Sequence, residues 1–246
     1  MKIPIFPLKL VMFPGARYPL HIFEERYKSM VNKCLAMNEG FGVVAKHENE
    51  ISNIGCYVHI SKILKKYENG NLDIIVTGLY RFKTLLTNVS DEGYLISSIE
   101  EFADTVQEED NSVLSTEAIE RFNQIIKKSQ LFLSDTFWNN LATSKRKSFK
   151  LAEKSGLSID QQQSLLKMKS ENQRLEYLVH HFEKITEYLK ARTHNCHSFT
   201  DPHYCWNSTR VPQSVAGNCH AKLNVNNSCS PESAATDIRK IKGLSS

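Results

Sequence analysis

A change in the spacing of apolar residues near position 105 is the strongest constraint on how this chain can fold. Before that point, apolar residues form short runs bounded by Gly, Pro, Asn or Asp, as in β-strands joined by tight turns. Later they recur every three or four residues, which is the period of a helix face. No period is sustained near the end, where Asn, Ser and Thr are frequent. We therefore predict a β-rich part at 1–105, a helical part at 112–192 and a disordered segment at 194–246.

The β-rich part is predicted to contain many short strands and one early helix. Asn69-Gly70 favours a hairpin turn between two of the strands. Residues 24–37 have the helical period instead, with apolar residues on one face. This combination favours a small barrel or a folded-over sheet. The predicted strands are 2–6, 8–13, 18–23, 41–45, 55–60, 63–67 and 72–77, followed by a strand pair that ends near residue 102.

The helical part is predicted to hold about four helices with short connections. Segments 113–133 and 145–155 supply at least two of them. Ser158 and Ser170 are each followed three positions later by Gln, which is the spacing of a capping box at a helix start. The second of these starts opens a long helix with a steady apolar stripe, so a helical bundle is expected.

Composition and motifs exclude several functions. The formal net charge of +4 is small for 246 residues, so nucleic acid is not an expected partner. No window approaches the length of an apolar membrane span, and the N-terminus lacks signal-peptide character, which predicts a cytoplasmic chain that does not enter membranes. The phosphate-binding G-x-x-x-x-G-K-[ST] loop, the G-x-S-x-G elbow and the H-E-x-x-H helix are all absent. We therefore expect neither enzymatic activity nor a cofactor.

The stretch FPGARYPLHIFEERY (13–27) gathers a histidine, two glutamates and two arginines, which raises the question of an acid–base site. In order, it consists of a Pro-Gly turn, a strand and a charged helix start. We expect His21 to cover a sheet face and the carboxylate of Glu24 to pair locally with Arg26. Arg81 is expected to pair with a carboxylate and to fix the closure of the barrel. No catalytic residue is assigned.

Metal binding is not expected either. Four of the six cysteines lie between positions 196 and 229, among several histidines. The C-x₂₋₄-C pairs that are typical of zinc sites do not occur there. His180 and His181 are adjacent on a helix and therefore point in different directions. Two interpretations of 194–246 stay open: a lineage-specific tail, or the product of a shifted reading frame.

Several blocks in a fixed order resemble the N-terminal substrate-binding domain of Lon proteases, in its stand-alone form. The resemblance covers about residues 1–190 and implies an α+β fold, with a PUA-like β pseudo-barrel followed by a helical bundle. Glu25 stands where the family often has Pro. The blocks are IPIFPL (3–8), FPGARYPLHIFEERYKSMV (13–31), GCYVHISKI (55–63), NGNLDIIVTGLYRF (69–82), YLISSIEEF (94–102) and the helical segment 148–185.

The resemblance implies a non-enzymatic module that binds polypeptide, which we expect to be unfolded or exposed apolar segments in protein quality control. Phe13, Pro14, Tyr18 and Phe23 are the candidate binding residues. Two alternatives stay open. One is RNA binding, which PUA-like folds perform elsewhere, and the other is an adaptor that delivers client proteins to a separate ATP-dependent protease.

Overall fold

The computed structural model describes residues 1–47, 50–105 and 112–197, with the side chains of 192–197 excepted. The predicted disordered segment 194–246 lies almost entirely outside this part of the chain. The described strands are β1 (Lys2–Leu8), β2 (Arg17–Ile22), β3 (Phe41–His47), β4 (Glu50–Lys66), β5 (Leu72–Val89) and β6 (Leu95–Glu101). The described helices are α1 (Glu25–Met37), α2 (Ser112–Lys128), α3 (Asp135–Thr143), α4 (Lys147–Ala152), α5 (Ile159–Lys167) and α6 (Glu171–His197).

Strand β5 organises the sheet. Its first half pairs with β2 and β4, and its second half pairs with β6, all in antiparallel fashion. Strand β6 also pairs with β1, which runs parallel to β3, and β3 pairs with β4. Strands β5, β4, β3, β1 and β6 therefore close into a five-stranded ring, and β2 adds to the first half of β5. The α+β class is confirmed, with strands that close on themselves as expected for a pseudo-barrel.

The long strands differ from the short ones that the sequence predicts. Segments 55–60 and 63–67 belong to one strand, β4, and the predicted strand 72–77 continues through β5 to Val89. Register shifts interrupt the β4–β5 pairing at three places. Such β-bulges bend a strand and increase its twist, so a single long strand can curl around the barrel. The predicted breaks are therefore bends within continuous strands.

The predicted strand at 8–13 is wrong: β1 ends at Leu8, and irregular chain follows. Val11, Met12 and Phe13 are buried in the core, with exposed fractions of 8%, 2% and 2%. A short apolar run indicates burial but does not distinguish a strand from a buried irregular segment.

The turn at Phe13–Ala16 anchors both β5 and the helices. The Ala16 amide donates to the Phe13 carbonyl at 3.1 Å, with Gly15 at a φ of +80°, which matches the predicted Pro-Gly turn. The amide of Gly78 on β5 donates to the Ala16 carbonyl at 2.9 Å. The Phe13 ring stacks on Phe149 of α4, with 5.5 Å between ring centroids. This stretch therefore joins β5 to the helical part.

The inside of the ring is filled by a small apolar cluster of Ile3, Ile5, Val44, Phe82 and Ile99. Phe82 is fully buried, and its ring lies against two glycines, Gly42 and Gly55. A Cβ added to Gly42 would lie 2.5 Å from the Phe82 ring, and one added to Gly55 would lie 2.3 Å from the Val43 carbonyl oxygen. The two glycines therefore make the room that the ring of Phe82 occupies.

Helix α1 crosses from β2 to β3 and buries Tyr27, Met30, Val31 and Cys34. Beyond residue 111, the capping box at Ser158 is confirmed, since its hydroxyl accepts from the Gln161 amide at 3.2 Å. At the start of α6 the Ser170 hydroxyl accepts from the Gln173 amide at 3.3 Å. The sequence does not predict helix α3, because its nine residues are too few for a helical period to be recognised.

A buried ionic network joins the barrel to the helices. Arg81 of β5 and Arg174 of α6 have fully buried side chains, and both bind Asp104, which follows β6. The two guanidinium groups share the Oδ1 atom of Asp104, and Arg174 also donates to Oδ2 at 2.9 Å. Arg81 further donates to the carbonyls of Leu166 and Met168, at 2.8 and 2.5 Å. The expected pairing of Arg81 with a carboxylate is confirmed, and it links the barrel to α5 and α6.

Candidate functional site

One face of the three-stranded sheet β2–β5–β4 is turned away from the core. Side chains alternate along these strands: Ile22, Leu72, Ile74 and Val76 point into the core, and their neighbours point outward. We call the outward side the outer face. Three cross-strand rows form it, namely Arg17, Thr77 and His59; Pro19, Ile75 and Lys62; and His21, Asp73 and Lys65.

A polar cluster centred on Asp73 occupies one end of the outer face. His21 Nδ1 lies 2.6 Å from Asp73 Oδ1, and the Tyr67 hydroxyl donates to Asp73 Oδ2 at 2.7 Å. The hydrogen bonds from His21 and from Tyr67 hold the pKa of Asp73 below its usual value. The bond to Asp73 raises the pKa of Tyr67. Asp73 therefore stays ionised and holds both rings in place.

Aromatic side chains surround this cluster. Phe23 follows β2 and leaves 60% of its surface exposed. The His21 ring stacks with Phe23, and Tyr67 meets His21 edge-on, each with 5.9 Å between centroids. Lys65 Nζ lies 4.4 Å from the centre of the Tyr67 ring. Ile75 and Pro19 continue the apolar surface toward the middle of the outer face.

The four predicted binding residues have different environments. Phe13 is 2% exposed and its ring packs on Phe149 of α4, so it is a core residue. Pro14 is half-buried in the turn, and Tyr18 is half-buried with its ring against the core. Phe23 is exposed on the surface. The binding role of these residues stays a prediction, and Phe23 is the best placed of them.

The structure adds Asp73, Tyr67 and Ile75 to this region, which sequence reasoning missed. His21 and Asp73 are 52 residues apart, and only the β2–β5 register brings them together. No local spacing indicates such a pair.

The edge of β2 that has no strand partner in the described part of the chain is unsuited to binding another strand. The Ala16 carbonyl accepts from Gly78 and so faces β5. Because backbone groups alternate in direction along a strand, those of Arg17, Pro19 and His21 face away from β5. Pro19 has no N–H at the centre of this edge, which blocks strand pairing there. A ligand would therefore be held by side chains of the outer face.

His21 does not pair with the nearby Glu24. Glu24 pairs with Arg26 at 2.6 Å, whereas His21 pairs with Asp73. On α6, His181 Nε2 lies 2.9 Å from the Ser155 carbonyl, and burial lowers its pKa. Within residues 1–47, 50–105 and 112–191, no three His, Cys, Asp or Glu side chains are close enough to hold a metal ion. The side chains of the cysteine- and histidine-rich stretch that begins at His194 lie outside the described part of the chain.

Two further facts bear on the class of protein. Among the helices described, none combines the length and the apolar character needed to cross a membrane. Burial raises the pKa of the Cys56 thiol to about 12 and that of Cys34 to about 11, so both thiols are protonated at neutral pH.

Comparison with known proteins places residues 2–184 in the family described as the ATP-dependent protease La (LON) substrate-binding domain. The chain is 26% identical over 204 residues to the Lon protease of Escherichia coli strain K12, and 26% identical over 206 residues to that of Buchnera aphidicola subsp. Schizaphis graminum. These matches cover 78% of this chain but only 26% of each protease. The chain thus matches about a quarter of the length of these relatives.

Solved structures give the same result for the fold. The crystal structure of a Lon N-terminal domain protein from Xanthomonas campestris matches with a TM-score of 0.56 and 26% identity, over 73% of this chain and 97% of that one. The N-terminal domain of the Lon protease of the Mycobacterium avium complex matches with a TM-score of 0.58 over 74% of this chain and 98% of that one. At 14% identity, the second match concerns the fold alone.

Proposed function

This chain belongs to the LON substrate-binding domain family, and we propose that it is a non-enzymatic module that binds unfolded or exposed apolar polypeptide segments in protein quality control. The observation that carries this proposal is the apolar and aromatic surface of the outer face. Phe23 is 60% exposed there and lies beside the ring of His21. Ile75 and Pro19 extend the surface along the strands. Exposed aromatic side chains that are held in place by neighbours are typical anchors in protein interfaces.

The charges around the outer face indicate which segments it would prefer. Arg17, Lys62 and Lys65 carry positive charge on its rows, and Asp73 is the carboxylate among them. Asp73 is already engaged by His21 and Tyr67. The three cations therefore favour clients in which apolar residues are flanked by acidic ones, because complementary potentials direct and orient binding.

The same reasoning covers activity, partners and location. The matched family is the substrate-binding domain and not the protease catalytic domain, which supports a non-enzymatic role. Clients would need a separate ATP-dependent protease for degradation, so we propose such a protease as a partner. We propose the cytoplasm as the compartment. Co-precipitation from cells, followed by identification of the bound proteins, tests for the clients and for the protease. Recovery of client proteins without any ATP-dependent protease would contradict the adaptor role.

Replacing Phe23 with Ala should weaken binding of a fluorescently labelled, reduced and carboxymethylated client protein by about tenfold or more, because an aromatic anchor is lost. The exposed side chain contributes little to folding, so the melting temperature should stay the same. Phe132 provides a matched control: it is 99% exposed and lies between α2 and α3, away from the outer face. Phe132→Ala should bind like the parent chain. Equal affinities for all three proteins would contradict the proposal.

RNA binding is the second candidate, because cations and rings on an open sheet face also suit single-stranded RNA. Arg17, Lys62, Lys65 and Tyr67 are the residues that favour it. The ionised Asp73 opposes it, since a carboxylate on the face repels phosphate. A titration with structured and single-stranded RNA across salt concentrations separates the two functions. Micromolar, salt-sensitive binding of RNA that competes with the client would favour this second candidate.

A further inference from the structure

The outer face has an apolar side and a cationic side, which run next to each other along the strands. Pro19 lies on β2, Phe23 directly follows β2, and Ile75 lies on the neighbouring strand β5. Lys62 and Lys65 lie on β4, beyond β5, and both are exposed. We call Pro19, Ile75 and Phe23 the apolar side, and Lys62 and Lys65 the cationic side. A segment that covers both sides needs apolar residues along one flank and acidic residues along the other.

The width of the outer face matches the diameter of one α-helix. Strands β2 and β4 are two strand spacings apart, which is about 10 Å. A helix with its side chains is about 10–12 Å across. Lys62 and Lys65 lie opposite Ile75 and Asp73, and two residues along a strand span about 7 Å. Residues i and i+4 of a helix are about 6 Å apart, so two acidic residues with this spacing would reach both lysines.

The edges of the outer face oppose an extended client. The edge of β2 that has no strand partner among the described residues has Pro19 at its centre, where an N–H is missing. The last part of β4, beyond its pairing with β3, carries Lys62, Lys65 and Lys66 and is interrupted by bulges. Proline, lysine and bulges at an edge all prevent pairing with another strand. A client is therefore held by the side chains of the face and not by its backbone.

This restriction favours a helical client over an extended one. An extended backbone over Pro19 and Ile75 would lose water without gaining hydrogen bonds, and buried backbone groups without partners are unfavourable. A helix makes its backbone hydrogen bonds internally. It can therefore cover the apolar side without this cost.

We propose that the outer face binds client segments that form an amphipathic helix, with apolar residues at i, i+3, i+4 and i+7 and acidic residues along one flank of that stripe. The helix lies along β5. Its apolar residues contact the apolar side, and its acidic residues pair with the cationic side. The inference rests on the proposed function, because it names the class of segment that the same face binds.

Two labelled peptides of identical composition test the conformation of the client. Each has about 18 residues, which is long enough for a helix. In the first, Leu and Glu are arranged for an amphipathic helix with Glu along one flank, and in the second they alternate as in a strand. The helical peptide should bind the full chain about tenfold or more tightly than the alternating one, and its carbon chemical shifts in the complex should be those of a helix. Equal affinities, tighter binding of the alternating peptide, or a bound peptide without helical shifts would overturn the inference.

Reversing the charge of Lys62 tests the cationic side. Lys62 lies in the row of Ile75, whereas Lys65 lies in the row of the ionised Asp73. Lys62→Glu should weaken binding of the helical peptide about fivefold or more, and it should strengthen binding of the same helix with Lys in place of Glu. Lys128→Glu is the matched control, because Lys128 is exposed at the end of α2, outside the outer face, and its reversal changes the net charge equally.

Lys128→Glu should bind both peptides like the parent chain, and unchanged melting temperatures would show that both variants fold. Equal effects of the two reversals would contradict the inference. The reduced and carboxymethylated client separates this failure from failure of the proposed function. If Phe23→Ala weakens binding of that client while the helical peptide has no advantage over the alternating one, only the helical inference is overturned. If neither the client nor the peptides bind, the proposed function is overturned with it.

Discussion

Replacing Asp104 with Ala should lower the free energy of unfolding by about 3–5 kcal/mol, because it leaves two buried guanidinium groups without their shared carboxylate. Arg81 and Arg174 have fully buried side chains and would then repel each other. Glu171 still pairs with Arg174 at 2.8 Å, whereas Arg81 would keep two backbone carbonyls and the rings of Phe102 and Phe149 but no carboxylate among the described residues. Urea unfolding followed by circular dichroism measures the loss.

Arg146 provides the matched control for this prediction. Its Nε atom lies 3.2 Å from Asp104 Oδ2, but 42% of its side chain is exposed. Arg146→Ala should therefore cost no more than about 1 kcal/mol, as for exposed ion pairs. A similar cost for Asp104→Ala and Arg146→Ala would show that the buried network does not hold the barrel and the helices together.

The Asp104 network also predicts a dependence of stability on pH. Burial by itself would raise the pKa of Asp104, but the hydrogen bond from Arg174 and the charges of Arg174, Arg81 and Arg146 outweigh it and hold the pKa below its usual value. A carboxyl whose pKa is lower in the folded state contributes stability above its unfolded pKa, about 3.9. That contribution is lost as the pH falls below this value and through the folded pKa. Asp104→Asn should remove this part of the acid sensitivity.

Replacing Phe82 with Ala should lower the free energy of unfolding by about 3–5 kcal/mol, because it opens a cavity inside the closed ring of strands. Phe82 is fully buried and is the largest side chain of the inner cluster. The exposed Leu79, on the same strand and 51% exposed, provides a control whose replacement with Ala should cost much less. Thermal and urea unfolding measure both variants.

The two inner glycines refine this prediction. Gly42→Ala should cost about 1–3 kcal/mol, since its Cβ would collide with the Phe82 ring. Shortening Phe82 to Leu should relieve most of this cost, so the two changes should not be additive. Phe82→Leu should relieve less of the cost of Gly55→Ala, because the added Cβ would lie 2.3 Å from the Val43 carbonyl oxygen, which Phe82→Leu does not move. Equal and additive costs at both glycines would show that Phe82 does not fill the space they leave.

The sequence predicts the features whose determinants are local. Pro14-Gly15 sets the turn, Asn69-Gly70 lies between β4 and β5, and Ser158 with Gln161 caps α5, all by contacts within a few residues. The change of apolar period near residue 105 separates the strands from the later helices for the same reason.

Features that depend on long-range register are not predictable from spacing. The Asp104 network joins residues that are 23 and 70 positions apart, and the bulges of β4 depend on how the whole strand curls. Tertiary packing also decides why Phe23 is exposed and Phe13 is buried. Both are aromatic residues in the stretch 13–27, yet only Phe13 has α4 packed against it.

The most direct test of the polypeptide-binding account is a methyl NMR titration of the full chain with an unfolded client protein. Ile75 lies on the outer face, Ile5 lies inside the ring, and Leu86 is exposed near the end of β5. The account predicts that the Ile75 methyl signal shifts as client is added, with saturation at the affinity measured by fluorescence, while Ile5 does not move. An Ile75 signal that stays constant while client binds, with shifts confined to Leu86 or to the helices, would contradict it.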